Sequence, residues 1–224
     1  TEGWAQVSGG GNIYGNPDLD PETSLNKEMS LMYQSDSGLD ASLTVFHNEF
    51  KDKITRVVCP DTLCTDGPNQ WGADPTYRIN VDEAVTQGVE ATFAMPVSET
   101  VYMSSSYTFT DSEQKTGEYK GMPLQQLPKH LFNVDVSWQT TDKLESWTKV
   151  TYRGEEMDPV TGPSRTSIIE PAYTFVDAGV TYQLTDNTKL KGAIYNLLDE
   201  EISYEEYGYV EDGRRYWLGL DVAF

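Results

Sequence analysis

The sequence predicts an all-β chain: an antiparallel wall of about nine long strands from a transmembrane β-barrel. Three observations carry that expectation. Apolar and polar residues alternate with period two, short and long connections alternate along the chain, and aromatic residues collect at both ends of the apolar face. The last stretch shows the pattern most clearly. Tyr216, Leu218, Leu220, Val222 and Phe224 are apolar, while Gly219, Asp221 and Ala223 between them are small or polar. That is a strand with one face in oil and the other in water. An exposed strand of this kind at the edge of a soluble domain templates aggregation, whereas a barrel pairs it on both sides.

The elements follow in order. Strand one (24–34) sets Leu25, Met29, Leu31 and Tyr33 against Ser24, Asn26, Glu28 and Ser30. Strand two (39–50) sets Leu39, Ala41, Leu43 and Val45 against Ser42, Thr44 and Asn48. Strand three (78–95) has Val85, Val89, Ala91, Phe93 and Met95 on its apolar face, and strand four (100–110) has Val101, Met103, Tyr107 and Phe109. Strand five (130–139) is the cleanest, with Phe132, Val134, Val136 and Trp138 against Asn133, Asp135, Ser137 and Gln139. Strand six (143–153) places Leu144, Thr148, Val150 and Tyr152 against Glu145, Lys149, Thr151 and Arg153. Strands seven (173–183) and eight (188–196) put Val176, Ala178, Val180 and Tyr182, then Leu190, Gly192 and Ile194, on the apolar face. The terminal strand is the ninth.

Strands one and two, three and four, five and six, and seven and eight are joined by hairpin-type turns around 35–38, 96–99, 140–142 and 185–187. The connections between these hairpins are long: roughly 51–77, 111–129, 154–172 and 197–213. Short turns at one end and long loops at the other are the asymmetry of outer-membrane barrels, whose long loops are extracellular. A β-sandwich mixes loop lengths at both ends. On the apolar parity, Tyr33, Phe93, Trp138, Tyr182 and Phe224 mark the short-turn end, and Phe109, Phe132, Tyr152 and Tyr216 the other. Rings about 8 residues apart span roughly 20 Å along the axis of a tilted barrel, the thickness of an outer membrane.

Composition is compatible with this reading. Mean hydropathy is -0.54, but barrel strands give only half their residues to lipid, so long polar loops and a wet lumen dominate the average. No run approaches the roughly 20 apolar residues of a membrane helix. A net charge of -20 excludes nucleic acid as a partner, because phosphate binding needs clustered Lys and Arg. The chain opens at Thr1 without a leader-like segment and reads as a mature or excised piece.

Several segments together resemble one family. Residues 16–24, Asn-Pro-Asp-Leu-Asp-Pro-Glu-Thr-Ser, followed by Asn26-Lys27-Glu28, are similar to the NPxLxPETS…E segment of TonB-dependent outer-membrane receptors. Gly88-Val89-Glu90 resembles their GxE strand start, Asn196-Leu197-Leu198-Asp199 their NLFD segment, and the strand ending at Phe224 their assembly signal. The turn Met95-Pro96-Val97-Ser98-Glu99-Thr100-Val101 is similar to that of the catecholate siderophore, ferric enterobactin receptor-like branch. The resemblance implies that 1–224 is the C-terminal part of a barrel of about 22 strands, with the plug domain absent from this chain. It implies an outer-membrane receptor that imports a ferric siderophore, with a catecholate the favoured ligand, driven by TonB acting through the missing plug. No cofactor of its own is expected, the ferric siderophore being cargo. Outer-membrane lipid is an expected partner, and colicin or phage are expected as opportunistic ligands. Haem, cobalamin and other chelates remain alternative cargoes.

Candidate site residues come next. Strand parity places Arg78, Arg153 and Arg215 on the lumenal face near the loop ends, with Lys129 on the same parity and Trp71, Tyr77 and Tyr173 nearby. Guanidinium groups and aromatic faces suit a flat-sided ferric tris-catecholate. The competing reading is that these cations neutralise loop carboxylates. Cys59 and Cys64 in the longest connection read as a loop-stapling disulfide, worth about 2–3 kcal/mol at most. A metal-binding pair would need further ligands, and His47 and His130 are distant in sequence. The stretch Tyr204 to Tyr209, with Glu205, Glu206, Glu211 and Asp212, reads as a mobile solvated loop, with lining of the mouth or a Ca²⁺ site as alternatives. No enzymatic constellation is present: neither GxSxG nor HExxH occurs. An outer-membrane hydrolase or a non-transporting surface-binding protein is the alternative from another class.

Overall fold

Alternation of bulky apolar with small polar residues becomes long antiparallel strands, because each strand then has one face that tolerates oil and one that tolerates water. The computed structural model describes residues 6–8, 11–65, 67–69, 74–117, 119–158 and 167–223. Nine long strands follow the expected order: β3 (Thr23–Gln34), β4 (Asp40–Val58), β5 (Thr76–Pro96), β6 (Val101–Gln114), β7 (His130–Thr141), β8 (Leu144–Arg153), β11 (Tyr173–Thr185), β12 (Thr188–Tyr195) and β13 (Arg215–Val222). Four short strands accompany them: β1 (Gln6–Ser8), β2 (Gly11–Tyr14), β9 (Glu156–Met157) and β10 (Ile169–Glu170). All the long strands lie in one sheet, whose outermost members β3 and β13 each bond to a single neighbour among the described residues.

Register settles which residues share a face. Leu31, Leu43, Ala91, Tyr107, Phe132 and Tyr152 form one continuous cross-strand row. Val101, Trp138, Ser146, Val180, Gly192 and Leu218 form another on the same side. Large apolar side chains on this face are open, Leu31 at 72% and Leu218 at 81% exposure, as a lipid-facing surface requires. On the opposite face Ser42 bonds Thr92 at 2.6 Å, Asn133 donates to Ser106 at 3.4 Å, and Lys149 lies between Asp135 and Asp177. The two parities read from the sequence are the two faces of the wall. Tyr33, Trp138 and Tyr182 sit exposed toward the short turns, and Phe132 and Tyr216 toward the long connections. Phe224 lies outside the described residues.

Above the apolar band the strands run further than alternation indicates. β4 and β5 stay paired up to Val58 opposite Thr76, and β6 continues to Gln114 opposite Ala84. Both faces there meet water or loops, so no periodic apolar signal marks the extension. Much of the connection read as 51–77 is therefore hairpin, closed at its tip by the Cys59–Cys64 disulfide and by Cys59 N–H donating to the Pro75 carbonyl at 2.8 Å. At the short-turn end Gly38 adopts φ +86°, and a Cβ there would lie 3.1 Å from the Pro96 ring, so the turn requires glycine.

Two further features shape the loop end. β2 pairs parallel with β5 through Ile13–Thr76 and Tyr14–Tyr77. The chain then crosses the β4–β5 hairpin before β3 begins opposite Lys51. Asn16 donates to the Arg78 carbonyl at 3.0 Å, Asp20 N–H donates to the Asn80 side chain at 2.9 Å, and Glu22 accepts the Ile54 N–H at 2.6 Å. The stretch expected as a mobile loop instead contains a single helical turn, α1 (Tyr204–Tyr207), closed by Gly208 at φ 73°. Tyr207 is buried because its ring packs edge-on against Tyr173, with centroids 5.6 Å apart.

Candidate functional site

The loop end of the wall carries three separate cationic features. Arg153, the last residue of β8, faces Tyr173 across β11 in register. Its guanidinium grips Glu156 with two hydrogen bonds, at 3.0 and 2.7 Å. Tyr173 and Tyr209 act on its charge, their hydroxyls 3.4 Å apart, and Tyr207 packs on both of their rings. Burial alone would lower the Arg153 pKa, but the Glu156 bonds and charge outweigh it and the net shift is upward. Burial pushes the Tyr209 phenol well above its ordinary value, helped by the bond to Tyr173. Tyr207 rises too, through burial and then the Glu206 and Glu200 charges.

Arg215 opens β13 opposite Tyr195, lies 5.6 Å from that ring's centroid, and pairs with Asp212 at 3.1 Å. Arg78 stands on β5 directly opposite Arg56 on β4. Among the described residues neither Arg56 nor Arg78 takes part in an ion pair, in contrast to Arg153 and Arg215. Three strand spacings of about 4.8 Å separate β5 from β8, and three more separate β8 from β13. The three arginines singled out from the sequence therefore stand on strands whose axes are about 14 Å apart in succession, and do not share neighbouring strands.

The remaining sequence-selected residues divide. Tyr173 joins the Arg153 cluster. Tyr77 pairs with Val57, on the parity opposite to Arg78, so the two do not share a face. Lys129 is in register with the inward Thr110, yet its ammonium lies 5.9 Å from the ring of Phe109, a residue of the outer parity. The reason is that the belt ring offers a cation–π partner within reach of the flexible lysine. Trp71 lies outside the described residues. Cys59 and Cys64 are bridged.

Sequence reasoning missed Arg56 and Glu156, and placed Asp212 in a solvated acidic loop without its Arg215 partner. Arg56 fell in a stretch taken for loop, and the two carboxylates sit three residues from their arginines in connections without periodicity. His47 bonds Glu49 and Gln87, and His130 bonds the Tyr107 hydroxyl at 2.8 Å. Among the described residues no group of three His, Cys, Asp or Glu is placed to hold a metal ion. A cavity of about 240 Å³ lies between β6, the 119–129 connection and the β9–β10 ribbon, lined by Thr110, Asp111, Lys129, Glu156 and Met157 among others.

An antiparallel wall with an apolar band on one face and polar rows on the other is the pattern of a membrane barrel, and one family model matches residues 2–197: TonB dependent receptor-like, beta-barrel. The chain belongs to the TonB-dependent receptor β-barrel family. An iron-regulated outer membrane virulence protein of Vibrio cholerae is 67% identical over 224 residues, covering 100% of this chain and 34% of the relative. The ferrienterobactin receptor of Escherichia coli is 33% identical over 251 residues, covering 100% of this chain and 32% of the relative. A mutant ferric enterobactin receptor of Pseudomonas aeruginosa in complex with enterobactin superposes with TM-score 0.68 at 26% identity, covering 95% of this chain and 33% of that one. This receptor-barrel chain thus spans about a third of the length of the relatives it matches.

Proposed function

We propose that the full-length protein is a TonB-dependent outer-membrane receptor that imports a ferric siderophore, with an anionic catecholate chelate as the favoured cargo. The carrying observation is the full-chain similarity to an iron-regulated outer-membrane protein and to ferric enterobactin receptors. In this reading residues 1–224 supply about nine strands of the C-terminal wall of a larger barrel, and the plug and its TonB contact lie elsewhere. The long connections face the medium, and the short turns face the periplasm. The protein performs no covalent chemistry: it binds, and energy from TonB releases the cargo inward. Cationic groups at the mouth raise the local concentration of an anionic chelate against a chain of net charge -20, and act chiefly on capture rate.

The test is growth of an iron-starved strain, lacking its own receptors, that carries the full-length gene and is fed purified ferric siderophores one at a time. Growth on a ferric catecholate, lost when TonB is deleted, is expected. Growth on none of the panel with TonB present would overturn the siderophore reading and turn attention to haem or cobalamin.

A further inference from the structure

Arg56 and Arg78 are direct cross-strand partners, so their side chains leave the same face with Cβ atoms about 5 Å apart. Like charges in that position repel and destabilise a sheet pair. Counter-ions are abundant, with 36 Asp and Glu against 16 Lys and Arg, yet among the described residues neither guanidinium is ion-paired. The backbone beneath both arginines is tied down from outside the pair. The Arg56 carbonyl accepts the Gln125 side chain at 3.4 Å, and the Arg78 carbonyl accepts Asn16 at 3.0 Å. The neighbouring row on the same face adds a second, independent sign. Thr76, opposite Val58, is only 6% exposed, and among the described residues its hydroxyl finds no hydrogen-bond partner. A buried polar atom without a partner is rare in a folded protein and calls for an explanation.

We propose that Arg56 and Arg78, one same-face row from the buried Thr76, form a paired-guanidinium subsite for a multiply charged oxyanionic ligand. Resting on the uptake reading above, that ligand is the anionic ferric chelate. Each guanidinium offers a planar fork of N–H donors that takes two oxygens at once, so two forks side by side suit clustered catecholate oxygens around a metal. The bound anion cancels the repulsion between the prongs, so each arginine strengthens the other's contribution. Arg153 and Arg215, already held by Glu156 and Asp212, do not take this role.

The experiment uses the purified full-length protein and measures binding of ferric enterobactin and, separately, of inorganic phosphate. Arg56→Gln, Arg78→Gln and the double variant are compared with the parent and with Lys143→Gln, which removes one charge at the opposite end of the wall. Each single change is expected to raise the Kd for ferric enterobactin roughly tenfold, more at low salt. The double change should raise it by less than the product of the two, because one fork without the other has lost its shared anion. Lys143→Gln should bind within about twofold of the parent. The unfolding midpoint of the ligand-free protein should stay level or rise in the single variants as repulsion is relieved. A double variant that binds ferric enterobactin like the parent, or single variants that lower the ligand-free midpoint, would overturn the subsite. Phosphate binding as tight as that of the chelate, and lost in the same variants, would reassign the pair to a simple phosphate site. A parent that binds no ferric catecholate refutes the uptake reading itself and this inference with it.

Discussion

Val134→Arg and Asn133→Arg test the two faces of the wall at one height on one strand. The outer belt at the loop end is marked by Phe109 opposite His130, and at the short-turn end by Trp138 opposite Val101. Those rows are eight residues apart on β7, about 20 Å along the axis of a tilted strand. Val134 lies halfway, in the row Ser105–Val134–Val150–Val176, and so sits near the middle of the hydrocarbon. An arginine there must be desolvated or must thin the bilayer, at a cost of about 2–4 kcal/mol. That corresponds to roughly a thirty-fold to several-hundred-fold change in the folding equilibrium. Asn133, the preceding residue, faces the lumen and bonds Ser106, so an arginine there keeps its water and should cost under about 1 kcal/mol. The assay is denaturant unfolding of the full-length protein in lipid vesicles, comparing midpoints at unchanged slope. Equal losses for the two variants would refute the face assignment.

Other consequences can be checked independently. Met157 is fully buried, and its carbonyl accepts the Gln126 N–H at 2.8 Å; Met157→Ala should cost about 2–4 kcal/mol locally and speed hydrogen exchange at Gln126. Protection at Gln126 equal to the parent's would contradict docking of the β9–β10 ribbon. Removing the Cys59–Cys64 bridge, with a sequence separation of 5, should cost about 2 kcal/mol and loosen the hairpin tip while leaving the wall intact. Hydrogen exchange would show this as faster exchange confined to the tip, and a collapse of the whole sheet would oppose it. Tyr209 has a folded pKa raised above the ordinary value near 10, so its contribution is intact below about pH 10 and is lost as pH rises from there toward the folded pKa. Ultraviolet difference titration against Tyr209→Phe should show this phenol ionising after exposed tyrosines, and Tyr173→Phe should bring it down. An ordinary titration for Tyr209 in the parent would break that argument.

The sequence alone determined the strands and their faces wherever one side of the wall meets lipid. Leu25 to Tyr33, Phe132 to Trp138 and Tyr216 to Val222 must alternate because hydrocarbon rejects polar groups on one parity and the lumen accepts them on the other. Turn chemistry was legible for the same local reason, as at Gly38. Legibility stopped where the lipid stopped. Above the band both faces are wet or packed under loops, so the continuation of β4, β5 and β6 left no period to read, and Arg56 was lost inside an apparent loop. Only the tertiary structure decided that Arg56 stands opposite Arg78, that Glu156 and Asp212 hold Arg153 and Arg215, and that Tyr207 is buried on Tyr173. Those pairings depend on register between segments distant in the chain and on loops folding back over the wall, and neither is encoded in the period of any single strand.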